Sequence, residues 1–231
     1  MLSTDPSKTS AYLAEFFGTA MLLVAVVGSG IMGQNLSQEN MGIALLANSL
    51  ATGAALYVLI TALAPISGAH FNPAVSLCFA LTGKLPARRL PAYIFLQCCG
   101  AVLGVITANL MFDLAPVSFS TTERWGSHLL LSEFVATCGL LLTIVLFIKH
   151  NEEAVPLGVA LFITGAYWFT SSTSFANPAV SFARIFSDTF AGIAPHCAPA
   201  FIAVQLGAAV LIGVGLKGIA VRTGQSRAVQ G

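Results

Sequence analysis

Residues 71–76 read Phe-Asn-Pro-Ala-Val-Ser, and residues 176–181 read Ala-Asn-Pro-Ala-Val-Ser. In each copy an asparagine precedes a proline, which is typical of a helix start, because Asn is a favoured N-cap and Pro fits the first helical turn. Each copy opens a segment, 72–82 and 177–189, that is too short to span a bilayer as a helix. The pattern predicts two half-helices. The residues that begin them are Asn72, Pro73, Ala74, Asn177, Pro178 and Ala179.

The two half-helices belong to a longer repeat. Glu15-Phe16 in the first half is echoed by Glu133-Phe134, and Gln97 by Gln205, in the same order as the Asn-Pro-Ala copies. With three spans in each half, the second copy is inverted, and such repeats place their functional centre near the bilayer midplane. We therefore expect one domain over residues 1–231, with inverted repeats at about 11–112 and 128–220.

The composition excludes a soluble fold. Of 231 residues, 56% are apolar and 8% are charged, against about 25% charged in an ordinary soluble domain. Membrane lipid must therefore surround the protein. Six apolar stretches are long enough for spanning helices: 12–32, 41–64, 90–112, 129–148, 155–174 and 199–220. The fold class predicted is an all-α membrane protein with six transmembrane helices and two re-entrant half-helices.

The basic residues predict the orientation. If both termini are cytoplasmic, the connecting segments on that side carry most of the Lys and Arg, as the positive-inside rule requires. Only Arg124 and Arg184 fall elsewhere. A net charge of +1 without a basic stripe gives no reason to expect a nucleic-acid partner. The localisation predicted is a cell membrane, multi-pass, with the bacterial inner membrane expected.

The residues that lead into each Asn-Pro-Ala copy, 65–71 and 171–176, are expected to be non-helical. Such backbone is tolerated at membrane depth only inside the protein or along a watery cavity. Its carbonyl groups would form a row of acceptors, and Asn72 and Asn177 would offer amide donors where the helix starts meet. Two facing helix N-termini carry partial positive charge, which repels cations in pores of this kind.

These motifs resemble the aquaporin (major intrinsic protein) family over about residues 11–220. The resemblance rests on both Asn-Pro-Ala copies, on Ser-Gly-Ala-His-Phe at 67–71, and on the paired Glu15 and Glu133. It implies six tilted helices plus two half-helices, one pore per subunit and a homotetramer. It also implies that Glu15 and Glu133 hold the re-entrant loops and that His70 packs beside the pore wall.

The second constriction departs from the family pattern. An arginine usually follows the second Asn-Pro-Ala directly, whereas this sequence has Val180. Counting from the motifs places the other filter positions at Thr52, Gly165 and Ser174. The predicted selectivity filter is therefore wide, without an aromatic side chain or a charge.

Such a filter resembles that of bacterial aquaglyceroporins of the arsenic-handling type. The resemblance implies a passive channel for small uncharged solutes: water, glycerol-like polyols, neutral metalloid hydroxides such as arsenous acid, and methylated arsenicals. A water-selective aquaporin is the first alternative. A secondary transporter that uses Glu15 and Glu133 as titratable groups is the second.

Arg184 lies one helical turn beyond Val180 and admits two interpretations. It could reach the mouth of the pore and restore part of the missing charge. We expect instead that it extends to the membrane interface, with Asp188 as its i+4 partner.

The remaining reactive side chains suggest no catalysis. No nucleophile–base set, phosphate loop or metal constellation is apparent, so the sequence predicts neither an enzyme nor a cofactor. The cysteines have neither zinc-site nor disulfide spacing and are expected to pack as small buried thiols. They are Cys78, Cys98, Cys99, Cys138 and Cys197.

Overall fold

The computed structural model describes residues 8–38 and 40–228, with side chains described up to residue 219. Within these residues the regular secondary structure is helical throughout. The α-helices in chain order are α1 (Lys8–Leu36), α2 (Met41–Ser67), α3 (Pro73–Leu81), α4 (Leu90–Met111), α5 (Ser127–His150), α6 (Val155–Phe169), α7 (Pro178–Ala183) and α8 (Ala198–Ala228). Short 3₁₀ turns lie at Ala87–Arg89, Glu152–Ala154 and Arg184–Phe186.

Five of these helices, α1, α2, α4, α5 and α8, are long and apolar enough to cross a membrane. The stretch predicted at 155–174 is shorter than expected. Helix α6 has 15 residues, about 22 Å at about 1.5 Å per residue. It ends at Phe169 because Thr170 takes an extended conformation, with ψ 138°, from which the second re-entrant segment continues.

The two predicted half-helices are present as α3 and α7, and asparagine caps both. Asn72 Oδ1 accepts a hydrogen bond from the Ala74 N–H at 2.8 Å, and Asn177 Oδ1 accepts one from the Ala179 N–H at 3.0 Å. Helix α7 is shorter than the predicted 177–189, because the chain tightens into the 3₁₀ turn after Ala183.

The first non-helical run is also shorter than predicted. Helix α2 continues through Pro65 to Ser67, so non-helical backbone begins at Gly68 and not at residue 65. Gly68 has φ 89°, the left-handed conformation that favours glycine at a helix C-terminus. The whole re-entrant turn is therefore made by four residues, 68–71, before Asn72 caps α3.

Helix α1 packs closely against α4 because two glycines of α4 face its backbone. A Cβ atom on Gly100 would collide with the Phe16 carbonyl group, and one on Gly104 with the Ala20 carbonyl group. Small residues let membrane helices approach in this way. Gly100 and Gly104 therefore allow the close contact between α1 and α4.

We expect Gly100→Ala and Gly104→Ala to force α1 and α4 apart and to lower the free energy of unfolding by about 1–3 kcal/mol each. Gly207→Ala is the matched control, because a Cβ atom there would meet nothing within 4 Å. Thermal unfolding in detergent, followed by tryptophan fluorescence, measures the difference. Equal midpoints for all three variants would contradict this account of the α1–α4 contact.

Candidate pore

The two re-entrant segments meet through their asparagines. Asn72 Nδ2 donates to the Ala176 carbonyl oxygen at 2.8 Å, and Asn177 Nδ2 donates to the Phe71 carbonyl oxygen at 2.8 Å. Each amide has two hydrogens, so one remains after this cross-repeat bond. Both asparagines line the central cavity, and the spare hydrogens are available to a solute there.

The backbone leading to each asparagine is strained. Ala69 and Phe71 have φ of 49° and 48°, and Ser174 and Ala176, at the equivalent places of the second repeat, have φ of 49° and 47°. For residues other than glycine this region costs about 1–3 kcal/mol per residue and persists only where the surroundings enforce it. The strain turns peptide groups towards the cavity and needs compensating contacts.

Glu15 supplies those contacts in the first repeat. Its carboxylate accepts from the His70 N–H at 2.9 Å and the Phe71 N–H at 2.8 Å. It also accepts from Ser67 Oγ at 2.6 Å and Gln97 Nε2 at 2.7 Å. Four donors therefore converge on one buried carboxylate, which holds the re-entrant turn in its strained shape.

Glu133 repeats the arrangement in the second half. It accepts from the Phe175 N–H at 2.9 Å, the Ala176 N–H at 2.8 Å and Gln205 Nε2 at 2.6 Å. Gln205 also donates to Ser181 Oγ at 2.9 Å. Neither Glu15 nor Glu133 lines the cavity, so both glutamates act on the backbone behind the cavity wall.

The cavity lies between the two repeats and has a volume of about 100 Å³ open to the centres of water-sized molecules. Helices α1, α2, α5 and α6 provide a mostly aliphatic wall. The polar side chains on the lining are Thr52, His70, Asn72, Tyr167, Ser174, Asn177 and Arg184. An aliphatic wall with a few polar groups suits the passage of small neutral solutes.

His70 lies on the cavity wall beside its loop. Its Nδ1 is 3.0 Å from Ser76 Oγ. Its ring makes edge contacts with Phe79 and Tyr93, at centroid distances of 4.8 and 5.3 Å. These contacts fix the ring beside the start of α3.

Three of the four predicted filter residues, Thr52, Ser174 and Val180, line the cavity. Gly165 does not line it. Tyr167 does, and its hydroxyl is 3.3 Å from Thr52 Oγ1. Counting along the chain missed the tyrosine because two residues turn an α-helix by about 200°, almost to its opposite side.

Arg184 was expected to extend away from the pore with Asp188 as its partner, and this expectation is wrong. It is 3% exposed and lines the cavity, and its guanidinium stacks on Phe175 with 3.5 Å between the guanidinium carbon and the ring centroid. Its Nε donates to the Ala191 carbonyl oxygen. The expected pair with Asp188 is not formed, since Asp188 accepts instead from the N–H and hydroxyl of Thr121.

The cavity therefore carries a charge and an aromatic side chain, which the predicted selectivity filter lacked. In the part of the chain with described side chains, the terminal nitrogens of Arg184 bond to no protein group, and the guanidinium has no carboxylate partner. A signal for Tyr167 was present in the sequence. Val159, Ile163 and Tyr167 recur every four residues, and this face of α6 is the one on the cavity.

Comparison with known proteins gives the family. The profile described as "Major intrinsic protein" matches residues 3–183, more than half of the chain. The chain belongs to the major intrinsic protein family. It is 53% identical over 202 residues to the aquaglyceroporin AqpS of Rhizobium meliloti (strain 1021), covering 87% of this chain and 86% of that protein.

More distant members of the family align over shorter stretches. Aquaporin NIP1-1 of Zea mays is 40% identical over 134 residues, covering 57% of this chain and 46% of that protein. The X-ray structure of the aquaglyceroporin from Plasmodium falciparum superimposes with a TM-score of 0.71 at 20% identity, covering 90% of this chain and 94% of that one. The structural likeness shows the fold.

Family and fold together establish the general activity. The chain is a multi-pass membrane channel of the major intrinsic protein family for small neutral solutes, and it is not an enzyme. The all-α fold expected from the Asn-Pro-Ala motifs is confirmed.

Proposed function

We propose that this channel passes a broad range of small hydroxylated solutes: water, glycerol-like polyols, neutral metalloid hydroxides such as arsenous acid, and methylated arsenicals. The observation that carries the proposal is Val180, whose aliphatic side chain lines the cavity immediately after the second Asn-Pro-Ala. No long side chain enters the cavity from that position. The 53% identity to an aquaglyceroporin supports the same class of solute.

The cavity offers several hydrogen-bond groups to a hydroxylated solute. Ser174 Oγ is buried and has no partner within the described part of the chain. The spare amide hydrogens of Asn72 and Asn177 lie further along the same cavity. Arg184 adds donors beyond Val180. A neutral solute with several hydroxyl groups could exchange its water for these groups in turn.

Tyr167 and Arg184 favour a second candidate, a water-selective pore, because both add bulk to the cavity wall. A size series distinguishes the two: light scattering from proteoliposomes exposed to gradients of glycerol, erythritol and sorbitol, with water flux as the reference. The broad channel predicts protein-dependent glycerol entry and a decline with solute length. Protein-dependent water flux without glycerol entry would show that the pore is water-selective.

The Arg184 charge predicts cation exclusion. One unit charge about 4 Å from another changes its energy by about 4 kcal/mol at an effective dielectric constant of about 20. We expect Arg184→Leu to raise sodium leak through proteoliposomes at least about tenfold, while the exposed control Lys149→Gln leaves it unchanged. If the sodium leak of Arg184→Leu equalled that of wild type, the arginine would have no part in excluding cations.

A transporter that titrates Glu15 and Glu133 is disfavoured. Both carboxylates are filled by hydrogen bonds from the re-entrant backbone and the glutamines, and neither lines the cavity. Gradient-independent solute flux is therefore expected.

We also propose a homotetramer in a bacterial inner membrane with both termini cytoplasmic. Large apolar side chains are exposed on several helices, among them Leu13, Phe95 and Leu161 at 61–67%, and such surfaces must contact lipid or other subunits. The connection before α4 and the last turn of α5 carry most of the basic residues that lie between α1 and α8, and an excess of such residues is typical of the cytoplasmic side. They are Lys84, Arg88, Arg89 and Lys149. Native mass spectrometry tests the tetramer, and labelling of a cysteine introduced into loop 112–126, applied from outside intact cells, tests the orientation.

A further inference from the structure

The face of the bundle opposite the N-terminus of α1 brings together three side chains with metal-binding atoms. Glu123 comes from loop 112–126, and His196 and Cys197 lie directly before α8. His196 Nε2 is 3.0 Å from Glu123 Oε2, and Cys197 Sγ is 3.5 Å from the same oxygen. The three ligand atoms all lie within 4.8 Å of one another.

We propose that Glu123, His196 and Cys197 form a binding site for Zn²⁺ or a divalent transition metal of similar softness. One carboxylate, one imidazole and one thiolate are the donor types that Zn²⁺ takes, at bond lengths of about 2.0–2.3 Å. A tetrahedral ion with such bonds separates neighbouring ligand atoms by about 3.3–3.7 Å. The two contacts with Glu123 lie close to that range, and the His196 and Cys197 ligand atoms, within 4.8 Å of each other, must approach by at most about 1 Å.

The number and kind of ligands exclude the hard cations. Ca²⁺ and Mg²⁺ require about six or more ligands, mostly oxygen, whereas this cluster offers nitrogen and sulfur. Three protein ligands leave one coordination position for water. The side chains of His196 and Glu123 are 65% and 62% exposed, so solvent and the ion can reach the cluster from outside.

Cys197 occupies a position that suits a metal-bound thiolate. It directly precedes Ala198, the first residue of α8, and the positive end of a helix favours a thiolate. Without a metal, burial raises the pKa of the Cys197 thiol, the Arg124 backbone N–H lowers it, and Glu123 raises it. A cysteine binds Zn²⁺ as the thiolate, so binding of the metal is expected to release a proton.

Glu123 is held in place from both sides. Its neighbour Thr122 accepts from the Ala194 N–H at 2.8 Å, and its neighbour Arg124 donates from Nε to the Gly192 carbonyl oxygen at 2.9 Å. The loop is thus fixed against the segment that carries His196. None of the three ligands lines the pore cavity, so the site is separate from the path of the solute.

Sequence spacing could not reveal this site. Glu123 is 73 residues from His196, and only the fold brings loop 112–126 to the start of α8. The adjacent His196 and Cys197 alone have no zinc-site spacing.

Isothermal titration of the purified full chain with ZnCl₂ tests the proposal. Wild type is expected to bind one Zn²⁺ with release of a proton, seen as a binding enthalpy that depends on the buffer, and to show no heat with Mg²⁺. Glu123→Gln, His196→Gln and Cys197→Ser should each weaken binding by at least about tenfold. His128→Gln and Cys99→Ser are the matched controls and should bind as wild type does.

Co²⁺ provides a spectroscopic test of whether Cys197 binds the metal directly. Wild type should give the near-ultraviolet charge-transfer band of a Co²⁺–thiolate bond, and Cys197→Ser should lose it. Water flux equal to wild type shows that each variant is folded. The proposal would be overturned if Zn²⁺ binding were unchanged in a variant that combines Glu123→Gln, His196→Gln and Cys197→Ser. It would also be overturned if wild type showed neither heat with Zn²⁺ nor the charge-transfer band with Co²⁺.

Discussion

Glu15→Ala is expected to prevent the chain from accumulating as a folded channel. The substitution removes the acceptor of four donors: Ser67 Oγ, the backbone N–H groups of His70 and Phe71, and Gln97 Nε2. Each buried donor left unsatisfied costs about 1–3 kcal/mol, so four of them cost about 4–12 kcal/mol in total. A loss of this size exceeds what most single substitutions cause.

The yield of monodisperse protein after size-exclusion chromatography measures this effect. Glu153→Ala is the matched control, because that glutamate is exposed, and it should behave as wild type. Glu15→Gln keeps one carbonyl oxygen and should fold with a lower melting temperature. Glu133→Ala should resemble Glu15→Ala, since three donors lose their acceptor. Normal yield and melting of Glu15→Ala would show that the re-entrant turn does not need the carboxylate.

Val180→Arg is the second change with a large expected effect. It adds a long side chain with five donors to a cavity wall that already contains Arg184 and Tyr167. We expect glycerol permeability to fall at least about tenfold, a barrier increase of about 1.4 kcal/mol or more, and water permeability to fall less. Stopped-flow light scattering on proteoliposomes measures both.

Two further variants separate bulk from charge at Val180. Val180→Leu adds volume without a donor and should reduce glycerol entry less than arginine does. Phe182→Ala changes an exposed side chain of the same half-helix and should leave both permeabilities unchanged. Glycerol entry in Val180→Arg equal to wild type would show that position 180 does not limit the pore.

The scaffold of the pore could be predicted from local signals. Asn72 and Asn177 each precede a proline, and that pair is typical of a capped helix start. The repetition of Glu15 by Glu133 indicated two equivalent loops to be held. Buried glutamates within apolar helices are rare enough to require a partner, and the backbone of the re-entrant turn is the partner that the structure shows.

The filter could be predicted only in part, because it depends on the relative rotation of separate helices. Val180 follows a motif directly, and the structure places it on the cavity. Gly165 was located by counting across the end of α6, where a shift of two residues reverses the side that faces the cavity. Tyr167, two residues further along α6, lines the cavity.

Arg184 was misplaced for a different reason. Its i+4 spacing to Asp188 predicts a pair only if the helix continues, but α7 ends at Ala183 and a 3₁₀ turn follows. Asp188 is then free to bond Thr121 of loop 112–126. The early end of α7 turns the arginine onto Phe175 and into the cavity.

We expect the channel to pass neutral hydroxylated solutes passively and to exclude anions as well as cations, because a charged solute loses more hydration than the mostly aliphatic cavity wall returns. Proteoliposomes containing the wild-type chain, without any ion gradient, are exposed at pH 7 to arsenous acid, which is neutral, or to arsenate, which is an anion. Arsenous acid is expected to equilibrate many times faster than in protein-free liposomes, and arsenate is expected to enter no faster than in those liposomes. Fast water flux with arsenous acid entry equal to protein-free liposomes, or arsenate entry as fast as that of arsenous acid, would contradict this expectation.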